Sequence, residues 1–380
     1  MKEVRSRLPQ DFNADRYRVI YDDLSHLTHE QLAEHWLLHG KAEGRRYSGP
    51  TRQELIMAGR GPEDIGLEIA PYFRPLAPKK LGYRVKTVDV FPKEELRKQA
   101  AEDPAIPANL ISAIEDVDFI GSAGDLRQLL EKEVKESSLD YIVSSHNFEH
   151  LPNPIQFLID SQYFLAADGV LSMAIPDLRC CFDFFQWPTM IDEWLCSYLK
   201  QKPAPEPSDI FRMRCREVNN FGCLRYPKDQ VSLVGDLVDS FNILTQRMAA
   251  GHTFEYVDAH CSFFTPASFR LLVRELRFLG IIKLDIVNIS EVMGNEFFAQ
   301  LASKPLGHAD QDAKVFNSER KKLLFDVIAE IAVKAEPVGI SAEYPGALDR
   351  DDDIAEQVQG SLMFWMRSVL KSVFPGLGRR

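Results

Sequence analysis

LDYIVSSHNFEHLPNP, residues 139–154, begins as a short apolar run and ends in a cluster of polar side chains. A helix is predicted directly after it, over Pro154–Ala167, because apolar residues recur there at helical spacing. Asp168 and Gly169 then predict a turn into another apolar strand, Val170–Ile175. A strand, a helix and a second strand in this order are typical of a parallel sheet covered by helices.

The same alternation extends on both sides of this segment. Strands are predicted near residues 66–70, 84–90, 115–120, 139–145, 170–176, 281–289 and 296–302. The fold class expected is therefore α/β, with a Rossmann-like, seven-stranded, mostly parallel sheet flanked by helices.

Changes in composition divide the chain of 380 residues into parts. Residues 1–50 predict a small helical module that ends in a turn-rich stretch. Residues 51–177 and 258–305 carry the strand pattern, and residues 178–257, rich in Phe, Trp, Pro, Cys and Arg, interrupt it. We interpret that interruption as an insertion after the fifth strand. Residues 306–380 predict a helical C-terminal extension.

Composition and charge exclude several classes of protein. Apolar residues make up 45% and charged residues 27%, which is ordinary for a folded globular chain. The net charge of −11 argues against a nucleic-acid partner, because neutralising many phosphates requires a basic surface. The sequence has no apolar run of about 18 residues and no signal-peptide-like start, so we expect a cytoplasmic protein.

The six cysteines show no C-x-x-C pair, and reduced thiols are the expected state. A zinc site formed by Cys215, Cys223, His260 and Cys261 is an alternative, but this spacing is not diagnostic. The expectation is a protein without a metal.

Ligands of open α/β sheets bind outside the carboxyl ends of the strands, so the strand-end residues are the candidates for function. Asp89 ends the second strand, where a carboxylate can accept hydrogen bonds from the two hydroxyls of a ribose. After the third strand, Asp125 is placed to accept from an exocyclic amine and Leu126 to pack on a purine face. The alternative for Asp125 is that it caps the following helix.

The first strand runs into LEIAPYFRP, residues 67–75, and lacks the G-x-G-x-x-G motif of dinucleotide sites. This absence counts against NAD and FAD. The alternative for Glu68 is an exposed residue in an ordinary turn.

Polar residues also follow the fourth and fifth strands. His146 lies close to the end of the fourth strand, which favours a functional role, whereas His150 is equally explained by a hydrogen bond to a neighbouring loop. Asp177 and Arg179 follow the fifth strand at the same cleft. They either orient a polyhydroxyl substrate or form a surface ion pair, which would contribute little to stability.

Taken in order, these positions resemble the class I S-adenosylmethionine-dependent methyltransferases. More narrowly, the chain resembles the methyltransferase-type proteins that accompany glycosyltransferases in bacterial polysaccharide and glycan biosynthesis. The likeness covers roughly residues 60–303 and is carried by SSHNFEHLPNP (144–154), VLSMAIPDLR (170–179) and DAHCSFFTPASFRLLVRELRFLG (258–280). The N-terminal module is similar to short modules found beside such glycan enzymes.

The resemblance implies S-adenosylmethionine as the cofactor and assigns a part of it to each candidate. The implied contacts are Glu68 and Ala70 with the methionine end, Asp89 with the ribose, Asp125 and Leu126 with the adenine, and Ser145 and His146 with the region of the reacting sulfonium. The family pattern has glycine where this chain has Ala70, and the added methyl group would crowd the backbone's approach to the cofactor.

Methyl transfer from a sulfonium needs mainly positioning, but a sugar hydroxyl also benefits from a base that takes its proton. His146 and His260 are the candidate bases and Asp177 the candidate orienting residue. The insertion 178–257 is then the cap that binds the acceptor. The expected function is O-methylation of a sugar in glycan or polysaccharide biosynthesis.

Two alternatives stay open. A catalytically inactive binding or scaffold protein is favoured by Ala70 and opposed by Asp89, Asp125 and His146; a nicotinamide-dependent sugar enzyme lacks its glycine motif. The basic, aromatic tail over residues 364–380 suits either a packed helix or a weak contact with the surface of the inner membrane. A homodimer is also left open.

Overall fold

The computed structural model describes residues 8–9, 11–41, 43, 45–104, 106–218, 231–250, 257–307, 310–332 and 334. The strands are β1 Ile65–Ile69, β2 Arg84–Asp89, β3 Phe119–Ile120, β4 Leu139–Ser145, β5 Leu165–Pro176, β6 Leu284–Ile289 and β7 Glu296–Ser303. They form one sheet in the order β3-β2-β1-β4-β5-β7-β6. The first five strands run parallel, and β7 runs antiparallel to both β5 and β6. The predicted α/β fold with a seven-stranded, mostly parallel sheet is confirmed.

The helices are α1 Ala14–Ile20, α2 His29–His35, α3 Arg52–Met57, α4 Lys93–Glu102, α5 Ala108–Ile111, α6 Leu126–Leu130, α7 Pro154–Phe164, α8 Ile191–Leu199, α9 Pro207–Arg214, α10 Leu237–Ala250, α11 Pro266–Phe278 and α12 Ala313–Ala332. Among the described residues no helix combines the length and the hydropathy needed to cross a bilayer. The tail over 335–380, including its predicted membrane contact, lies outside the described residues.

The apolar runs of the strands are buried on both faces of the sheet. In β4, Ile142 packs into the larger hydrophobic core with α7 and α11, whereas Tyr141 and Val143 pack into a smaller core with Ile56 and Met57 of α3. Successive side chains of a strand point to opposite faces, so helices on both faces require apolar residues at nearly every position. This explains why the strands appear in the sequence as continuous apolar runs.

The prediction of a turn at Asp168–Gly169 is wrong. Helix α7 ends at Phe164, and β5 begins at the next residue and runs through the predicted turn. The register with β4 shifts within this stretch, because Leu139 pairs with Leu165 but Tyr141 pairs with Val170. Gly169 is used here for close approach, since a Cβ atom at this position would lie 2.7 Å from the carbonyl oxygen of Leu139.

Strand β3 is shorter than predicted because side chains replace part of its ladder. The carboxylate of Asp118 accepts the backbone N–H of Thr87 at 2.8 Å, where a strand carbonyl would otherwise accept. Glu115 in turn accepts the backbone N–H groups of Lys79 and Lys80. In the described part of this segment, the ladder of β3 with β2 consists of Phe119 and Ile120.

The N-terminal module has a small hydrophobic cluster of its own, formed by Tyr17, Leu24, Leu32 and Trp36. Thr28 caps α2 by accepting the backbone N–H of Gln31, and the Gln31 side chain accepts the backbone N–H of Thr28 in return. The predicted inserted segment contains α8, α9 and α10, while residues 219–230 and 251–256 lie outside the described parts of the chain.

A buried arginine joins α11 to the loop after β7. Arg277 donates to the carbonyl oxygens of Lys283, Lys304 and Pro305 and to the carboxylate of Asp310. It is 2% exposed, so its guanidinium needs these acceptors, while Asp310 is also paired with Arg274.

We therefore expect Arg277→Met to lower the free energy of unfolding by about 3–5 kcal/mol, because it removes the buried donor of three carbonyl oxygens and one of the two arginines that pair with Asp310. Arg270→Met on the exposed side of the same helix is the control and should change stability by less than about 0.5 kcal/mol. Urea unfolding measures both, and equal effects of the two substitutions would contradict the structural role of Arg277.

Candidate functional site

The carboxyl ends of β1, β2 and β4 meet at one edge of the sheet. Ile69 pairs with Val88 on one side and with Ser144 on the other. The next residue on each strand is Ala70, Asp89 and Ser145, and the backbone N–H of Ala70 still donates to the carbonyl of Val88 at 2.8 Å. The predicted cofactor residues of these three strands are therefore neighbours.

Ala70 adopts a left-handed backbone conformation, with φ +50°. This conformation favours glycine, because a Cβ atom crowds the following carbonyl. The turn that leaves β1 thus requires a conformation that glycine adopts without strain, and this chain adopts it with alanine.

Glu68 is buried, which excludes the alternative of an exposed residue in an ordinary turn. Its carboxylate accepts the backbone N–H groups of Leu76 at 2.6 Å and Ala77 at 3.0 Å. Glu68 therefore holds the loop after β1 in place, and any effect on the methionine end of a cofactor would pass through that loop.

Asp89 lies beside the Ala70 turn and is 6% exposed. The backbone N–H of Phe91 donates to its Oδ1 at 3.1 Å, and burial raises the pKa of the carboxyl group. A buried carboxylate at the end of a strand next to a left-handed turn suits two ligand hydroxyls.

The two residues predicted to contact adenine are placed differently from each other. Asp125 is exposed and directly precedes α6, but its side chain makes no hydrogen bond to the first turn of the helix. The capping alternative therefore does not hold. Leu126 is fully buried in the hydrophobic core. Its side chain packs in the core at the start of α6 and has no exposed surface for a purine. This corrects the prediction for Leu126.

At the end of β4, His146 joins a network of charged groups. His146 also has a left-handed backbone, with φ +48°, and its Nε2 lies 2.9 Å from Oε2 of Glu296. Arg52 donates to both oxygens of Glu296 and, at 2.6 Å, to Oγ of Ser145. Glu296 is the first residue of the antiparallel β7, opposite Pro176, and therefore lies at the same edge of the sheet.

The electrostatics of this network do not favour His146 as a base. Burial lowers its pKa, but the negative charge of Glu149 and the hydrogen bond to Glu296 offset this and raise the pKa to about 10. An imidazole that keeps its proton at neutral pH cannot accept another. This environment suits His146 to presenting a positive charge, and its role as a base stays a prediction.

A second cluster lies immediately beyond, formed by Glu149, His150 and His260. His150 Nδ1 lies 2.9 Å from Oδ1 of Asp258, and His260 Nδ1 lies 2.6 Å from Oδ2 of Asp183. The two imidazole rings meet edge to face, with centroids 4.6 Å apart.

Glu149 is 1% exposed, and neither of its carboxylate oxygens has a hydrogen-bond partner within the described parts of the chain. Its Oε1 lies 3.6 Å from His146 Nδ1 and 3.7 Å from His150 Nε2. Burial raises the pKa of Glu149, but the surrounding histidines lower it by more, so that the pKa falls to about 2. The carboxylate is therefore ionised and compensated by charge rather than by close hydrogen bonds.

Asp177 does not orient either predicted base, which corrects that prediction. It is fully buried and binds Arg179 through both oxygens, with Nη2 at 2.6 Å from Oδ2. The pair is buried, so the surface-ion-pair alternative is also wrong. The carboxylates that hold the histidines are instead Glu296 for His146 and Asp183 for His260.

Sequence reasoning left out Arg52, Glu149, Asp183 and Glu296 as site residues. Glu149 could have been predicted from the sequence, since it lies in the polar segment after β4. Glu296 requires the antiparallel register of β7, and Arg52 and Asp183 come from α3 and from the loop after β5. Of the alternative zinc ligands, Cys223 lies outside the described residues, and His260 groups with Glu149 and His150.

No family model and no curated protein matches this sequence. Solved structures similar to it include the CcbJ methyltransferase from Streptomyces caelestis, with 11% identity, TM-score 0.35, and 67% of this chain and 97% of that chain covered. A SAM-dependent methyltransferase from Methanosarcina mazei shows 16% identity, TM-score 0.32, and coverage of 66% and 97%. A putative Zn-dependent alcohol dehydrogenase from Rhodobacter sphaeroides shows 12% identity and a TM-score of 0.36, with 78% of this chain and 100% of that chain covered. Such distant likenesses concern the sheet architecture and say nothing about activity.

The strained turn at Ala70 gives a prediction for stability. We expect Ala70→Gly to raise the free energy of unfolding by about 0.5–1 kcal/mol, because relief of the left-handed alanine exceeds the entropy that glycine adds to the unfolded chain. Ala101→Gly, in helical backbone near the end of α4, is the matched control and should lower it by up to about 1 kcal/mol. If urea unfolding shows that both substitutions lower the free energy of unfolding, the turn at Ala70 is unstrained.

Glu68 gives a prediction for pH dependence. Burial raises its pKa to about 7, although the N–H groups of Leu76 and Ala77 lower it in part, while the ordinary value is 4.5. The folded protein therefore holds this proton more tightly than the unfolded chain. The stabilisation of the folded state by the protonated Glu68 carboxyl group is fully present below the ordinary pKa and is lost as the pH rises through about 7.

Glu68→Gln has no proton to lose in this range. Between pH 4.5 and pH 7 we expect the free energy of unfolding of the wild type to fall relative to the variant by on the order of 2 kcal/mol. Urea unfolding of both proteins at the two pH values measures this. A constant difference between them would show that the carboxyl group keeps its ordinary pKa.

Proposed function

We propose that this protein is an S-adenosylmethionine-dependent methyltransferase that methylates a hydroxyl group of a sugar in glycan or polysaccharide biosynthesis. The observation that carries the proposal is the pairing of Asp89 with the left-handed turn at Ala70. Both lie at the carboxyl edge of a parallel sheet, where such folds bind nucleotides.

The residues at this edge fit the adenosine part of the cofactor. Asp89 would accept the two ribose hydroxyls, and the exposed carboxylate of Asp125 would accept the exocyclic amine of adenine. The Cβ atom of Ala70 is the one feature that narrows the approach to the backbone. When bound, the cofactor supplies a methyl group on a positively charged sulfur.

The acceptor is assigned to a cavity beside the histidine cluster. It has a volume of about 260 Å³, and its wall includes Trp194 and Lys200 of the inserted segment and Cys261 and Ser262. The backbone N–H groups of Cys261 and Ser262 both donate to the carbonyl oxygen of Glu149, which links this wall to the segment that carries Glu149. Its polar lining supports a small polyhydroxyl compound, and the inserted segment supplies much of the wall, as a cap would.

The proton of the acceptor hydroxyl is assigned to the same cluster. His150 and His260 each use Nδ1 to bind a carboxylate, which leaves Nε2 for the acceptor side. His146, positively charged and held by Glu296, is suited to orienting the acceptor oxygen. In this scheme the carboxylates hold the rings in a fixed position and tautomer.

Calorimetric titration with S-adenosylhomocysteine tests the proposal. We expect binding in the micromolar range, and a loss of about 10–100-fold in Asp89→Ala because a charged hydrogen-bond acceptor is removed. Asp168→Ala, an exposed carboxylate in the irregular stretch of β5, is the matched control and should bind normally.

Absence of binding by a folded wild-type protein would overturn the cofactor assignment and favour the inactive scaffold protein. Equal binding by Asp89→Ala and Asp168→Ala would place the cofactor elsewhere. Transfer of a labelled methyl group to sugar acceptors then tests the acceptor class.

A further inference from the structure

Glu149 has an unusual environment for a buried carboxylate. An ionised group removed from water needs hydrogen bonds or a nearby positive charge. Glu68 obtains two backbone N–H donors and Asp177 obtains Arg179, but neither oxygen of Glu149 has a hydrogen-bond partner among the described residues. Its carboxylate instead faces two histidine nitrogens at distances beyond hydrogen-bond range.

Those histidines are held in a manner that suits metal ligands. His150 and His260 each bind a carboxylate through Nδ1, and the pairs are His150–Asp258 and His260–Asp183. A histidine that ligates a metal typically donates its other N–H to such a carboxylate, which fixes the ring and raises its basicity. The remaining Nε2 of His150 lies 3.7 Å from Oε1 of Glu149.

We propose that Glu149, His150 and His260 bind a divalent transition-metal cation. One ligand atom from each residue lies within 4.8 Å of the other two. Tetrahedral ligand atoms at bond lengths of about 2.1 Å are about 3.4 Å apart, so side-chain adjustments of about an ångström close the site. The proposal departs from the expectation of a protein without a metal and offers a His₂Glu set in place of the cysteine-containing alternative.

The chemistry of the ligands selects the class of cation. Two imidazoles and one carboxylate suit Zn²⁺, Co²⁺, Mn²⁺ or Fe²⁺, whereas Mg²⁺ and Ca²⁺ prefer oxygen ligands throughout. Three protein ligands leave a coordination position open, as in catalytic zinc sites. Cys261 and Ser262, which follow His260 directly in the chain, lie in the wall of the cavity assigned to the acceptor.

The open position gives the ion a role that rests on the proposed function. A hydroxyl group bound to the cation loses its proton more readily. With the ion bound, Nε2 of His150 and of His260 are ligands and do not take the proton, as they would in the scheme without a metal. The proton leaves to solvent, a lone pair of the oxygen forms the bond to the methyl carbon, and the sulfur keeps the electron pair of the broken S–C bond. A sulfonium and an alkoxide become a neutral thioether and an ether, so the charges balance.

Metal binding tests the site without any measurement of activity. Full-length protein freed of metal by chelation is titrated with Zn²⁺ by calorimetry, and its Co²⁺ complex is examined by absorption spectroscopy. We expect one Zn²⁺ per chain, a higher Tm with Zn²⁺, and cobalt d–d bands typical of four-coordination. Thiolate-to-cobalt charge-transfer bands should be missing, because cysteine is not a ligand.

Substitutions that preserve shape separate a metal site from a structural cluster. Glu149→Gln and His260→Gln should weaken Zn²⁺ binding at least about 100-fold, and Asp183→Asn, which removes only the orienting carboxylate, about 10–100-fold. The exposed His26→Gln is the matched control and should bind as the wild type does.

Failure of the folded wild-type protein to take up Zn²⁺ or Co²⁺, with no change in Tm, would overturn the proposal. So would stoichiometric binding that Glu149→Gln and His260→Gln leave unchanged. Titration of the same metal-free protein with S-adenosylhomocysteine keeps the two proposals distinguishable. Asp89 is not among the proposed ligands, so either site can fail while the other binds.

Discussion

The carboxyl edge of the sheet buries several carboxylates, and each requires compensation because water is excluded from them. Glu68 is satisfied by two backbone N–H groups, Asp177 by the guanidinium of Arg179, and Glu296 by Arg52 and His146. These contacts connect the loop after β1, the end of β5, the start of β7 and helix α3. The arrangement of the edge therefore depends on where each negative charge finds its partner.

This dependence also separates scaffold from site. Carboxylates with complete sets of donors, such as Glu68 and Asp177, hold loops in position and have little left to offer a ligand. Asp89 and Glu149 differ, because burial leaves Asp89 with a raised pKa beside an open turn and leaves Glu149 without a hydrogen bond from any described residue. Perturbed groups of this kind concentrate at functional sites. The proposed cofactor contact and the proposed metal site lie on these two residues.

Two residues with strained backbone also lie at the candidate site. Ala70 and His146 both adopt left-handed conformations, and both follow strands at the edge where ligands of open α/β sheets bind. Strained residues persist where surrounding structure determines them, and here the strand pairings on either side do so. At Ala70 the strained position carries a Cβ atom, which glycine would lack.

The sequence by itself determined the α/β class and most strand positions, because strands buried on both faces must be continuously apolar and their loops polar. It also indicated Asp89 and the polar segment after β4, since both directly follow such runs. Only the tertiary structure decided the partners of these residues. Glu296 is distant from His146 in the chain and meets it because β7 returns antiparallel beside β5. Arg52 reaches Glu296 from α3, and Asp183 reaches His260 from the loop after β5. Apolar patterning is local, whereas charge compensation depends on register.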